Sequence, residues 1–396
     1  MKQWKRTITQ FLTAQTISLF GSSLVQYAII WYITLSTSSG TMLMISTMCG
    51  FLPQIFISLF AGTWIDRFNR KYVMMITDSA IAGATAVLAI TFFQGHRPLW
   101  LVFVVLAIRS AGTGIQTPAV NAVIPQLVPQ HQLLRINGIY STISSMTTLL
   151  SPAISGAILS IASIEITMCI DILTAIVGVA ITAYTKIPKQ NILVKSASMI
   201  EDMKHGLHYV KASKLLSLLF LYQLILLFLI SPSAFLTPLM VARSFGNEIW
   251  RLTASEMTFS MGMVAGGLLI STWSGFPKQL KTTLIAGTIY GLLMIGLGSV
   301  PVFTVYLLCN TLIGITSPCY QAPITVYIQE NVKPEMHGRM FSLMQIASSS
   351  ALPMGMLLFG PLADHIDVQY LMIGCGGMVL LLSMLIKKHF ITVSAR

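Results

Sequence analysis

The stretch Gly62-Thr-Trp-Ile-Asp66-Arg67-Phe-Asn69-Arg70-Lys71 places one acid and three bases within ten residues. Apolar runs flank it, because residues 42–61 hold no charge and residues 72–93 hold only Asp78. A charged segment this short between two membrane-length apolar runs predicts a loop that joins two transmembrane helices. The bases alone would be explained by anchoring on the positive side of the membrane. That interpretation leaves the acid and the preceding glycine without a role.

The composition of the whole chain is that of a membrane protein. Of 396 residues, 55% are apolar and 9% are charged, and the mean hydropathy is +0.77; soluble proteins carry roughly 25% charged residues. Since one bilayer crossing needs about 20 residues, we predict an all-α membrane protein with twelve transmembrane helices. The predicted helices are 8–35, 41–65, 72–94, 98–124, 137–162, 165–187, 215–241, 253–275, 282–300, 303–328, 340–363 and 369–387.

The distribution of bases predicts the orientation. Of 24 Lys and Arg residues, twenty fall in the termini and the loops on the N-terminal side; Arg97, Arg243 and Arg251 fall on the other side, and Arg109 lies inside predicted helix four. Because cytoplasmic loops are rich in bases, we expect a multi-pass protein of the inner (cytoplasmic) membrane with both termini in the cytoplasm. The same rule accounts for the net charge of +12 without a nucleic-acid partner.

The chain repeats itself over 200 residues. Gly114-Ile-Gln-Thr-Pro118 recurs as Gly314-Ile-Thr-Ser-Pro318, and a proline lies inside the following helix in each half, at Pro152 and Pro353. This order predicts two six-helix bundles related by a parallel internal repeat, as in transporters. Glycine and proline at these places bend helices or allow their close approach. We expect bundles at 1–187 and 215–396, and a cytoplasmic linker at 188–214 with an amphipathic helix at 199–211.

These motifs carry a resemblance to a known family. Residues 62–71 match the loop signature of the major facilitator superfamily. The run from Arg109 through Gly112, Gly114 and Pro118 to Asn121 resembles helix four of its macrolide-efflux type drug–proton antiporters, and Phe359-Gly-Pro-Leu-Ala-Asp364 resembles their helix eleven. Two features depart from the pattern: Ser151-Pro152 replaces a Gly-Pro pair, and the matching loop of the second half, 275–281, holds no acid.

The resemblance implies proton-coupled efflux of amphipathic drugs, macrolides among them, by alternating access. It implies that Asp66 interacts with the N-terminal end of predicted helix eleven, near Gly338, and it assigns a cytoplasmic gate to Gly62, Asp66, Arg67, Arg70 and Lys71. Alternatives are an exporter of an endogenous metabolite such as a siderophore, or a non-transporting membrane receptor on the same fold.

Charged residues inside the predicted helices are candidates for proton coupling. Arg109 lies about 16 Å into helix four, near the middle of the bilayer, where a guanidinium faces a cavity, an acid or backbone carbonyls. By resemblance it contributes to proton coupling. Asp78, Asp171 and Glu256 are the acids that could pair with Arg109 or carry the proton. We expect Asp171 and Asp78 to share the coupling role, although Asp78 could instead pair with Arg70 or Lys71. Glu256 has the spacing of a helix-capping residue in Thr253-Ala-Ser-Glu256.

Other polar and aromatic groups in the spans are candidates for the substrate cavity, and some of them for hydrogen bonds between helices. They are Gln26, Tyr27, Trp31, Gln54, Gln116, Asn121, Gln223, Asn310 and Gln321. Enzyme and metal-site motifs are missing from the sequence. We therefore expect a monomeric transporter, not an enzyme, with no cofactor and no metal, whose partners are an amphipathic small molecule, protons and membrane lipid.

Overall fold

The computed structural model describes residues 2–188, 207–211, 213–273, 275–333 and 336–394, and for a few of these, Asp66 and Arg67 among them, the backbone alone. Nearly all of the described residues are helical, and none forms a strand. The helices are α1 (Lys2–Thr37), α2 (Gly40–Arg67), α3 (Arg70–Phe93), α4 (Leu99–Leu127), α5 (Leu133–Ile161), α6 (Ile164–Tyr184), α7 (Lys214–Leu229), α8 (Ser231–Phe235), α9 (Thr237–Phe245), α10 (Ile249–Trp273), α11 (Gln279–Ser299), α12 (Phe303–Asn331), α13 (His337–Leu362) and α14 (Val368–Ser394).

Ten helices within the described ranges are long and apolar enough to cross a membrane. The two other long helices, α10 and α12, have 25 and 29 residues but are more polar. Some of their polar side chains form hydrogen bonds between the two helices. The side-chain amide of Asn310 in α12 donates to the carbonyl oxygen of Ser255 in α10 at 2.7 Å. A polar group bonded inside a helix pair does not face lipid, so these two helices are compatible with the membrane.

The prediction of one continuous helix at 215–241 was wrong. The chain forms three consecutive helices there, α7 to α9, with breaks at Ile230 and Leu236. Pro232 and Pro238 each stand in the first turn after a break, where the missing N–H needs no partner. The amphipathic helix expected at 199–211 lies mostly outside the described residues; residues 207–211 are helical.

The chain divides into two compact units. The first holds residues 1–33 and 45–196, and the second holds 34–44 and 197–396. In the first, buried apolar residues such as Phe11 and Met74 form a core, and in the second Tyr222 and Met340 belong to a corresponding core. Residues 34–44, which are the end of α1 and the start of α2, belong to the second unit. The domain limits drawn from the sequence stay a prediction.

The internal repeat appears as the same close helix contact in each unit. A Cβ on Gly114 of α4 would lie 2.7 Å from the carbonyl oxygen of Gln54 in α2, and one on Gly314 of α12 would lie 2.3 Å from that of Phe259 in α10. Only glycine leaves room for such an approach. The helices run on through the predicted bending residues Pro118, Pro152, Pro318 and Pro353.

Candidate functional site

The first unit contains a buried ion pair between α4 and α6. Arg109 and Asp171 are 5% and 1% exposed, and the guanidinium Nη1 lies 2.5 Å from the carboxylate Oδ2. Nη1 also donates to Thr85 Oγ1 in α3 at 2.6 Å, and Nη2 donates to the carbonyl of Ser22 in α1 at 3.0 Å. Asp171 accepts further hydrogen bonds from the hydroxyls of Ser22 and Thr85, at 3.2 and 3.1 Å. One arginine thus joins four helices.

The hydrogen bond from Ser22 to this pair depends on the close approach of α1 and α6. A Cβ on Gly21 would lie 3.2 Å from the Cα of Asp171, so the glycine lets the Ser22 hydroxyl reach the carboxylate. Every group in the pair is bonded to a partner of opposite charge or to a hydrogen-bond donor or acceptor, which a buried charge requires. Of the acids that the sequence offered as partners of Arg109, the structure selects Asp171.

A second buried acid, Asp78 in α3, has only neutral partners. Its Oδ1 accepts from the hydroxyl of Ser18 at 3.2 Å and its Oδ2 from the amide of Gln116 at 3.1 Å. The same amide nitrogen donates to Gln15 Oε1 at 3.2 Å, while Gln116 Oε1 and Gln15 Nε2 are buried without a partner. Asp78, Ser18 and Gln15 are all less than 8% exposed. We call these four residues the Asp78 cluster.

Two bases of the 62–71 stretch, Arg70 and Lys71, donate to backbone carbonyls. The side chain of Asn69 caps α3 by accepting from the Lys71 amide, and Arg70 donates to the carbonyl of Ala122 in α4 at 2.8 Å. Lys71 donates to the carbonyls of Ala183 and Thr185 at the end of α6, at 2.5 and 3.0 Å. A cation suits this end of a helix, where carbonyls are unpaired. Pairing of Asp78 with either base, one of the sequence alternatives, was wrong.

The remaining gate residues lie within or at the end of α2. Gly62, Asp66 and Arg67 are helical in their backbones, and the side chains of Asp66 and Arg67 lie outside the described part of the structure. The expected contact of Asp66 near Gly338 therefore stays a prediction.

The predicted cavity residues fall into three groups. Gln116, Gln223 and Asn310 make hydrogen bonds between helices, Gln223 to Ser348 at 3.2 Å. Trp31 is 1% exposed and its Nε1 has no partner. The others are at least partly exposed, and for them cavity lining stays a prediction; they are Gln26, Tyr27, Gln54, Asn121 and Gln321.

The capping role considered for Glu256 was wrong. Helix α10 begins at Ile249, so Thr253 lies in its second turn and donates to the Ile249 carbonyl instead of capping the helix. Among the described residues, none donates a hydrogen bond to the Glu256 carboxylate or forms an ion pair with it.

Asp364, which follows α13, is the centre of a hydrogen-bonded cluster to which the sequence patterns assigned no role. Its Oδ1 accepts from the Gly40 amide at 2.6 Å, and its Oδ2 accepts from the Thr41 amide and the Ser39 hydroxyl, both at 2.9 Å. Burial raises the pKa of Asp364, but these hydrogen bonds outweigh it and the net pKa is lowered. The one sequence feature that could have indicated this cluster is the acid at the end of the Phe359–Asp364 motif.

Arg243, at the end of α9, joins the same cluster. Its guanidinium donates to the carbonyls of Ala363 and Ser38, both at 2.5 Å, and lies 3.5 Å from Asp364 Oδ1. Residues 38–41, Arg243 and Asp364 thus form one connected set, the Asp364 cluster, all within the second unit.

The helices and their order are those of known transporters. The structure resembles that of the nucleoside transporter NupG, with a TM-score of 0.73 over 98% of this chain and 99% of that one at 12% identity. Residues 11–355 match the Major Facilitator Superfamily. The chain belongs to this superfamily.

Two members of the superfamily illustrate how the chain is related to it. Macrolide efflux protein A of Streptococcus pyogenes is 32% identical over 381 residues, which cover 95% of this chain and 94% of that protein. The staphyloferrin A transporter of Staphylococcus aureus is 23% identical and covers 90% of both chains. As a major facilitator protein, the chain has the twelve-helix, two-bundle fold of a multi-pass membrane transporter. Its relatives and its fold are those of transporters and not those of enzymes.

Proposed function

We propose that this protein exports amphipathic drugs, macrolides among them, across the cytoplasmic membrane by proton-coupled alternating access. The observation that carries the proposal is the buried Arg109–Asp171 pair, which joins α1, α3, α4 and α6 of the first unit. Charge inside membrane helices is costly and marks ion pathways and coupling sites. Similarity to macrolide efflux protein A along nearly the full chain supports the drug class.

The Arg109–Asp171 pair is suited to coupling because each buried charge is compensated only while the other is present. Removing either charge leaves the other buried without compensation, at a cost of several kcal/mol. The positions of α1, α3 and α6 around α4 therefore depend on the ionisation of this region of the molecule. A proton that enters or leaves nearby changes the relative stability of the helix arrangements, which is what alternating access requires.

The test is transport in proteoliposomes with an imposed pH gradient. We expect a radiolabelled macrolide to move against its own gradient while the pH gradient lasts, and to stop when a proton ionophore collapses it. Arg109→Ala should abolish the pH-driven component. Arg135→Ala, an exposed base outside the site, is the control and should transport normally. Absence of pH-driven drug movement in the wild type would refute the proposal.

The runner-up is export of an endogenous metabolite such as a siderophore, supported by the similarity to the staphyloferrin A transporter. A deletion strain separates the two functions. Loss of macrolide resistance with normal siderophore secretion supports drug export, and the reverse result supports the alternative.

A further inference from the structure

The two buried acids of the first unit differ in what surrounds them. Asp171 is paired with the Arg109 guanidinium. Asp78 is bonded only to a hydroxyl and an amide. Protonation of Asp171 would strand the buried charge of Arg109, which is strongly unfavourable. Protonation of Asp78 strands no cation.

The charged groups on the neighbouring helices are already engaged among the described side chains. Helix α1 carries no charge after Arg6, and the single charge of α4 is Arg109. The acids and bases of the other packed helices bind elsewhere: Glu165 of α6 binds Arg97, Asp171 of α6 binds Arg109, and Arg70 and Lys71 of α3 bind carbonyls. Asp78 is therefore free of any described counter-ion.

The Asp78 cluster forms equally many hydrogen bonds in either protonation state. With Asp78 ionised, the Gln116 nitrogen donates to Asp78 and to Gln15 Oε1, and Gln116 Oε1 and Gln15 Nε2 are left over. Turning both amides by 180° keeps the same positions but exchanges O and N. Gln116 Oε1 then accepts from a protonated Asp78 and from Gln15 Nε2. Each state has two bonds within the three side chains and two unpaired atoms.

The geometry points to Asp78 as the carboxyl that binds and releases the coupled proton, with the amides of Gln116 and Gln15 turning as it does so. The proton comes from water, forms an O–H bond on a carboxylate oxygen and returns to water on release. Because Gln116 belongs to α4, as Arg109 does, each protonation event changes the bonding between α4, α1 and α3. This inference rests on the proposed function and names its proton site.

The test is infrared difference spectroscopy of purified full-length protein between acidic and alkaline pH, without any drug. We expect the wild type to show the C=O stretch of a protonated carboxylic acid that disappears as pH rises. Asp78→Asn should remove a component of this band. Glu256→Gln, which removes an acid without an ion pair in the second unit, is the matched control and should leave that component in place. A band that persists in full in Asp78→Asn overturns the inference.

A second variant covers the case in which Asp78→Asn does not fold. Gln116→Leu removes a hydrogen bond from both states, but the one lost from the ionised carboxylate is the stronger, so the midpoint of the band should move to higher pH by about one unit. An unchanged midpoint overturns the inference. Because no transport is measured, these results are independent of the proteoliposome test. If the band depends on Asp78 but the protein moves no drug, drug export is refuted and the proton site remains.

Discussion

The Asp364 cluster allows a quantitative prediction about residues 38–41. Asp364→Ala removes the carboxylate that accepts three hydrogen bonds from Ser39, Gly40 and Thr41 at the start of α2. The variant keeps the backbone and the Arg243 contacts to the carbonyls of Ala363 and Ser38. The change therefore isolates what the acid contributes to holding this segment in the second unit.

The magnitude follows from the partners lost. A helix N-cap contributes about 0.5–2 kcal/mol, and a hydrogen bond to a charged group contributes roughly 1.5–3 kcal/mol. These terms overlap, and the Asp364 side chain is 25% exposed, so water replaces part of the loss. We expect a total of about 2–4 kcal/mol, which is roughly a 30- to 700-fold shift from the docked to the undocked segment.

Hydrogen exchange measured by mass spectrometry reads this equilibrium directly, because the Gly40 and Thr41 amides are themselves the donors. In Asp364→Ala, amides in a peptide spanning 38–44 should exchange faster by the factor above. His365→Ala, the exposed neighbour, should match the wild type. Equal exchange in Asp364→Ala and the wild type, or an equal acceleration in His365→Ala, would refute the reasoning.

The pH dependence of that protection has a definite sign. The pKa of Asp364 is lowered in the folded protein, so its contribution is present above the pKa of the undocked carboxyl and is lost as pH falls through the docked value. After correction for intrinsic exchange rates, protection of Gly40 and Thr41 should stay constant from neutral to mildly acidic pH. It should fall only at strongly acidic pH. A loss of protection near neutrality would show that another group controls the segment.

Three further predictions concern the rest of the molecule. Asp171→Asn should lower the stability of the detergent-solubilised protein by about 3–5 kcal/mol, and adding Arg109→Gln should recover most of it; a double variant no more stable than the single one in thermal unfolding would contradict the pairing. Gly314→Ala should destabilise by about 1–3 kcal/mol because of the close α10 contact, whereas Gly267→Ala, with open space around it, should be neutral or stabilising; equal unfolding temperatures would count against this. Asp66→Asn should open the inner side of the protein, so that a cysteine placed there reacts faster with a labelling reagent added from the cytoplasmic side. Unchanged labelling would remove the case for Asp66 as a gate.

The sequence was sufficient for the features that repeat or that depend on hydropathy. Long apolar runs predicted the helices, and the 200-residue repeat predicted the paired glycine contacts of Gly114 and Gly314. A proline within a predicted helix was harder to interpret. Pro118 lies inside a continuous α4, whereas Pro232 and Pro238 follow breaks, and the outcome depends on neighbouring helices that can satisfy the freed carbonyls.

Partners distant in the chain could not be predicted from spacing. Arg109 had several candidate acids, and the packing of α4 and α6 against α3 brings Asp171 to it across 62 residues. The partners of Asp364 lie more than 300 residues earlier. Its three donors are one hydroxyl and two backbone amides, which have no sequence signature as acid ligands. Arg243 was counted only as one base on the outer side, because the residues next to it in the sequence do not indicate that it donates to two carbonyls.

Helix α2 begins at the Asp364 cluster and ends within the charged 62–71 stretch. It has 28 residues, or about 42 Å at 1.5 Å per residue. Its first amides are bound by Asp364, and its last turn enters the 62–71 loop. Its interior proline, Pro53, has no N–H to donate and removes one backbone hydrogen bond, so it is the position at which α2 bends most easily.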